Sequence, residues 1–230
     1  MRILRIIVIL IIPVIVLFSF AMFFAFGNGI YLKHIEEENL TKSIDLTQEE
    51  LPRVIEHITS YIKGVNDDFS LAGKDQDGES VNIFSQKEID HMKDVRSLFD
   101  YMKGITFIGL LIVLLFLRLS KSDDKGIAIL ADVLYKSGVL SIVISMLTSA
   151  MVVTNFDKYF TKFHEVVFTN DLWLLNPETD VLIQILPITF FINITMKILL
   201  FSMGTMFFIT ALGMAIREYR TSIDISNLSG

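Results

Sequence analysis

The stretch IIVILIIPVIVLFSFAMFFAFG, residues 6–27, carries no charge over 22 positions. A bilayer core about 30 Å thick needs roughly 20 apolar residues in a helix, so this run is read as a membrane span. Three more runs follow it. Residues 104–117 and 137–156 are uncharged, and residues 181–216 are interrupted only by Lys197. Hydrophobic residues make up 52% of the 230-residue chain, with a mean hydropathy of +0.56. Soluble domains run at about 45–50% apolar. The fold class expected is an α-helical integral membrane protein with four transmembrane helices and a small extracytoplasmic cap, a helix plus a β-hairpin.

Arg2 and Arg5 ahead of the first run have the look of a signal-peptide n-region. The apolar stretch exceeds the usual 7–15 residues of such a peptide, and Ala21 and Ala25 make a poor cleavage site among so many Phe residues. An uncleaved signal-anchor helix is therefore expected. Lys and Arg of short loops stay on the cytoplasmic side. Arg2 and Arg5, then Arg118, Lys121 and Lys125, then Arg217 and Arg220 fall on one side of a four-span chain. Acidic residues crowd the other side, among them Glu36, Glu37, Glu38, Glu49, Glu50, Asp171, Glu178 and Asp180. Both termini are expected in the cytoplasm.

The expected organisation is span one at 1–27, an extracytoplasmic segment at 28–100, span two at 101–119 and a cytoplasmic loop at 120–136. Span three follows at 137–156, an extracytoplasmic or interfacial segment at 157–197, span four at 198–216 and a cytoplasmic tail at 217–230. Span two is short, so its helix is expected to begin near Gln86 and run through Tyr101, with Lys103 and Arg118 snorkelling to the interfaces. The run 181–216 is too long for one span: its 36 residues would reach about 54 Å at 1.5 Å each. Pro187 marks a kink or helix start within it. In the outer segment, Asp45, Glu49 and Pro52 announce a helix whose Leu51, Ile55, Ile58, Ile62 and Val65 recur at helical spacing. Residues 71–84, with Gly73, Asp77 and Gly78 at the centre, read as a β-hairpin.

The absence of cysteine excludes disulfides, a Cys-ligated zinc and a thiolate nucleophile. No serine elbow, zinc-protease motif or P-loop occurs, and no spacing is specific for a metal. A net charge of −6 without a basic stripe gives no sign of a nucleic-acid partner. No cofactor is implied.

Four histidines remain. His34 and His57 sit in charged surroundings and read as solvated surface side chains. His91 lies in Glu88-Ile89-Asp90-His91-Met92-Lys93-Asp94-Val95-Arg96. Helical spacing puts Glu88, His91 and Asp94 on one face, where a carboxylate can fix an imidazole's tautomer and raise its pKa. An exposed helix with ordinary ion pairs is the plainer alternative. His164 follows span three, nine residues before the chain's single tryptophan, Trp173. Tryptophan favours the membrane–water boundary, so His164 is either part of an interfacial anchor or a functional group at headgroup level. The short loop between spans two and three makes them antiparallel neighbours. Both imidazoles could then meet at the outer surface as general base and general acid.

The first histidine motif, together with Phe163-His164-Glu165-Val166-Val167-Phe168-Thr169-Asn170-Asp171-Leu172-Trp173-Leu174-Leu175-Asn176-Pro177, resembles the lipoprotein intramolecular transacylases, Lit, of Gram-positive bacteria. The resemblance extends over nearly the whole chain. It implies a bacterial plasma-membrane enzyme acting on diacylglyceryl-modified lipoproteins in the outer leaflet. Such an enzyme moves the sn-2 acyl chain to the α-amine of the N-terminal cysteine, which gives the lyso-form. It implies His91 and His164 as the catalytic pair. On that footing His164 is expected as base and Glu88 or Asp94 as the group orienting His91. Arg96 and Asn170 are expected as oxyanion donors, with Trp173 beside the substrate. The expected partners are the lipoproteins and membrane lipids, the protein itself being a monomer. The competing reading is a non-catalytic membrane sensor or accessory protein with an extracytoplasmic binding segment. The nearly bare cytoplasmic side offers such a sensor little output.

Overall fold

The computed structural model describes the chain except residues 39, 41–43, 45, 48, 121–123 and 230, and the side chains of 124 and 223–229. Asp45 and Lys121 thus lie outside the described residues. Seven helices and one hairpin make up the described chain: α1 (Arg2–Ala25), α2 (Asn28–Glu37), α3 (Glu50–Lys63), β1 (Ala72–Lys74), β2 (Ser80–Asn82), α4 (Gln86–Leu119), α5 (Asp124–Val167), α6 (Val181–Ile185) and α7 (Ile188–Ser229). Four of them, α1, α4, α5 and α7, are long and apolar enough to cross a membrane. Contacts divide the chain into two compact units, one of residues 1–20, 102–150 and 197–230 and the other of 21–101 and 151–196.

The first unit turns apolar side chains outward. Leu110, Leu111 and Leu114 on α4 and Phe207 and Phe208 on α7 are exposed, as lipid-facing positions must be. Its interior holds Val8, Phe116 and Val133, flanked by Ile12, Ile112 and Leu130. Small residues let its helices approach. Ser137, Ser141 and Ser145, one turn apart on α5, are buried, as are Ser202 and Thr210 on α7. At Gly138 an added Cβ would run into Thr210 Oγ1 and would meet the Met206 carbonyl at 2.9 Å. Close backbone approach of this kind is the usual basis of helix association where lipid removes the hydrophobic drive.

The second unit follows water-side rules. α3 is strongly amphipathic, burying Leu51, Val54, Ile55, Ile58, Tyr61 and Ile62. Pro52 sits in its first turn, where a missing N–H costs nothing. Val65 lies past the end of α3 and is exposed, so it is not part of the apolar face. Thr59 donates to Asn28 Oδ1 at 2.6 Å, joining α3 to the start of α2. The hairpin forms with Ala72 opposite Asn82 and Lys74 opposite Ser80. Its turn closes through Gly78 N–H to the Asp75 carbonyl, 3.1 Å. Gly78 adopts φ 83, a left-handed value open to glycine.

α4 begins at Gln86 and continues unbroken past Tyr101, as the sequence predicts. α5 changes direction at Asn155, whose φ of −165 and ψ of 79 are extended rather than helical. Its Oδ1 accepts from Lys158 N–H at 3.1 Å, so Asn155 caps a fresh helical segment that carries His164. α7 starts directly after Pro187, whose carbonyl accepts from Phe190 N–H at 2.9 Å.

A candidate active site at a pair of imidazoles

Seven charged side chains between residues 86 and 100, and four between 157 and 167, make these portions of α4 and α5 too polar for the bilayer core. The second unit brings His91 and His164 from these portions together, with ring centroids 6.2 Å apart. They are 7% and 9% exposed. Phe168 stands edge-on to His91 at 5.4 Å, and Trp173 packs on His164 at 5.0 Å. Phe160 meets His164 edge-on at 4.4 Å. The pair therefore sits in an aromatic enclosure.

The hydrogen bond on His164 decides its chemistry. Nδ1 lies 2.7 Å from the carbonyl oxygen of Phe160, one helical turn earlier. A carbonyl can only accept, so Nδ1 carries the proton and Nε2 of the neutral ring is left with its lone pair. Burial lowers the pKa of His164, against the opposing effect of that carbonyl. His91 is pushed down further, to about 4, first by burial and then by the neighbouring His164, with Asp94 working the other way. Both imidazoles are neutral at physiological pH. Nδ1 of His91 finds no hydrogen-bond partner among the described residues.

Three ties hold the start of α4 to the chain beyond α5, and two of them use residues that sequence reasoning singled out for other work. Glu88, 1% exposed, accepts from Ser85 N–H at 2.7 Å through Oε2 and from Leu182 N–H at 2.6 Å through Oε1. Both its oxygens serve backbone donors, so Glu88 does not orient His91; it fastens the first turn of α4 to α6. Burial raises its pKa. Asp94 accepts from the Asn170 side-chain amide at 2.9 Å, while Asn170 Oδ1 accepts from Leu172 N–H at 3.1 Å. Lys87 Nζ donates to the Leu174 carbonyl.

Arg96 is turned elsewhere. It donates to the Asn66 carbonyl at 2.6 Å and to Asp67 at 2.8 Å, and lies over the Tyr61 ring at 5.0 Å. It locks the end of α3 and is not brought to the imidazole pair. His34 and His57 are also corrected: His34 is buried against Phe190, and half-buried His57 lies against Phe69 and Phe84. Sequence reasoning missed the Phe160 carbonyl, Phe168, Lys87 and the Leu182 N–H. Only the first had a signal, the four-residue spacing from Phe160 to His164. Among the described residues no group of three or more His, Asp or Glu could hold a metal ion.

The profile of one protein family, the lipoprotein intramolecular transacylase Lit, matches residues 5–191. The chain belongs to the Lit family. Its fold is that of the membrane-integral Lit from Bacillus cereus solved in meso, with a TM-score of 0.79 at 22% identity, covering 96% of this chain and 97% of that one. Two further structures of the Bacillus cereus protein have one histidine replaced, by arginine or by alanine. Each gives a TM-score of 0.73, at 23% and 22% identity, over 96% of this chain. An uncharacterised protein of Aquifex aeolicus is 28% identical over 119 residues. The match spans about half the length of that curated relative, 51%.

Proposed function

We propose that this protein moves the sn-2 acyl chain of a diacylglyceryl lipoprotein onto the α-amine of the same molecule's N-terminal cysteine. The observation that carries this reading is the imidazole pair, with the bare Nε2 of His164 as a general base. Family membership supplies the reaction class. The chain has no cysteine, which suits a reaction that needs no enzyme thiolate. Amine and ester belong to one substrate, so holding them together confers the high effective molarity of an intramolecular step.

An α-amine has a pKa of about 7.7–8.0, within reach of an imidazole. His164 Nε2 takes a proton as the amine attacks the ester carbonyl. The C–N bond forms, the bond to the glycerol oxygen breaks, and the proton passes by way of His91 to that oxygen. The products are an amide and a free sn-2 hydroxyl, with atoms and charge balanced. Positioned acid–base groups of this kind contribute about 10²–10⁴-fold. The Asn170 amide, one N–H of which is given to Asp94, has a second N–H to offer the oxyanion, and Trp173 backs His164. The asymmetry of Arg and Lys supports cytoplasmic termini and a site on the outer face, where the lipidated cysteine lies.

Mass spectrometry of a reporter lipoprotein's N-terminal lipopeptide, in a host that makes only the diacyl form, tests this. Wild type is expected to yield the N-acyl, S-monoacylglyceryl product, with His91→Ala and His164→Ala slowed about 10²–10⁴-fold. A folded wild type that leaves the diacyl form untouched overturns the assignment. An acyl-imidazole trapped in a single turnover overturns direct transfer.

A further inference from the structure

Beside the first turn of α4, within the second unit, lies a cavity of about 700 Å³. That is within the range of about 300–1,000 Å³ seen for ligand sites. Its walls come from Leu46, from the chain on either side of β1, from β2 and the residues after it, from the start of α4, and from α6 and the chain leading into it. Asp75, Glu88 and Glu178 line it, and no Lys, Arg or His does among the described residues. Such a lining disfavours a phosphate or lipid headgroup and suits a neutral or cationic occupant.

One wall is a strand edge. Ile83 N–H donates to the Leu71 carbonyl at 2.9 Å, and Asp75 N–H to the Glu79 carbonyl at 3.1 Å. Hydrogen-bonded pairs alternate along an antiparallel ladder. The backbone N–H and C=O of Asn82, opposite Ala72, therefore point away from β1. Among the described residues the sheet has two strands, which leaves β2 an edge there, and Asn82 lines the cavity. An extended peptide binds such an edge through main-chain hydrogen bonds, whatever its sequence.

Glu88 is part of the cavity wall, and His91 lies one turn further along the same face of α4. We propose that this cavity receives the polypeptide that follows the lipidated cysteine, laid as an extended strand along β2. The inference rests on the transacylase reading. A substrate whose amine is held at His164 must lead its chain away from the site. Fixing the first residues of that chain orients the amine, which is how remote binding energy serves a reacting centre. A backbone-reading edge also suits an enzyme whose substrates share a lipidated cysteine and differ beyond it.

The test uses the full-length enzyme and two synthetic diacylglyceryl-cysteine substrates. One ends directly after the cysteine; the other continues into a lysine-bearing peptide. The readout is the ratio of kcat/KM for the long substrate to that for the short one. Taken within one preparation, this ratio is independent of the fraction folded. Wild type is expected to favour the long substrate. Asn82→Pro removes an outward N–H and fixes φ, a change that an edge strand tolerates, and Glu178→Lys reverses one charge of the lining. Each is expected to lower the ratio about tenfold, the worth of one or two hydrogen bonds. A wild type without preference, or two variants with the wild-type ratio, overturns the inference and leaves the transacylase reading standing. A wild type that converts neither substrate overturns both.

Discussion

The two units of the chain solve opposite packing problems. In the first, large apolar side chains such as Leu114 and Phe207 face outward, and the buried positions include Ser137, Ser141, Ser202 and Thr210. In the second, α3 hides its Ile and Leu residues and leaves Arg53 and Glu56 outside. Lipid and water reward different surfaces. Where lipid is the solvent, burying a leucine gains little and close backbone approach through small residues sets the association. Where water is the solvent, apolar burial at about 25 cal/mol per Å² dominates. The difference also explains where polar chemistry collects. His91, His164 and Glu88, whose pKa values burial shifts, all belong to the second unit.

Equal truncations in the two units break or sharpen this contrast most directly. Ile58, on α3, is 2% exposed, and Leu114, on α4, is 59% exposed. Ile58→Ala is expected to destabilise by about 2–5 kcal/mol, the transfer term plus a cavity. Leu114→Ala faces the same lipid or detergent before and after unfolding, so its effect is expected within about 0.5 kcal/mol. Thermal unfolding in detergent reads both. Comparable losses at the two sites would mean that the first unit is packed like a water-soluble domain.

A smaller effect separates two glycines of the first unit. A Cβ at Gly138 would stand 2.9 Å from the Met206 carbonyl, a backbone atom that cannot swing away, besides crowding Thr210. A Cβ at Gly204 meets nothing within 4 Å. Gly138→Ala is expected to cost about 1–3 kcal/mol through overpacking. Gly204→Ala is expected to be neutral or to stabilise by up to about 1 kcal/mol through helix propensity. If the two variants unfold at the same temperature, close approach at Gly138 does not hold α5 to α7.

The same contrast governs what was legible in the sequence. The four long helices could be read because an uncharged run leaves no other reading, and the hairpin because Gly78 sits where the turn needs it. The buried face of α3 could be read from its period as far as Ile62. The roles of Glu88 and Arg96 could not. Spacing tells which residues share a face, and says nothing of a partner such as Leu182 or Asp67, 94 and 29 positions away. His34 looked solvated beside Lys33 and Glu36 because Phe190, which buries it, comes from α7. The meeting of His91 with His164 was legible as a possibility from one short connection, and its detail was not. The tautomer of His164 depends on a backbone carbonyl, to which a residue pattern is blind.

The smallest effect is one of pH, and it belongs to the second unit alone. Burial holds His91 down at about 4 and lowers His164 below the usual 6.5. Unfolded, each imidazole binds its proton near 6.5. Between that pH and about 4 the unfolded chain therefore carries protons that the folded chain refuses. The stabilisation is fully present above 6.5 and is lost as the pH falls. One pH unit below 6.5 the loss from His91 is about 1 kcal/mol. The thermal midpoint of the wild type is thus expected to fall on acidification through this range. His91→Gln, which removes one of the two groups, should fall less, although both proteins share every carboxylate. Amide exchange should quicken around Leu182 and the first turn of α4 while the serine-lined helices of the first unit keep their protection. Parallel pH curves for the two proteins would mean that His91 ionises as freely in the folded state as in water. His91 would then take up a proton near 6.5, and the pair would be neutral only above that pH.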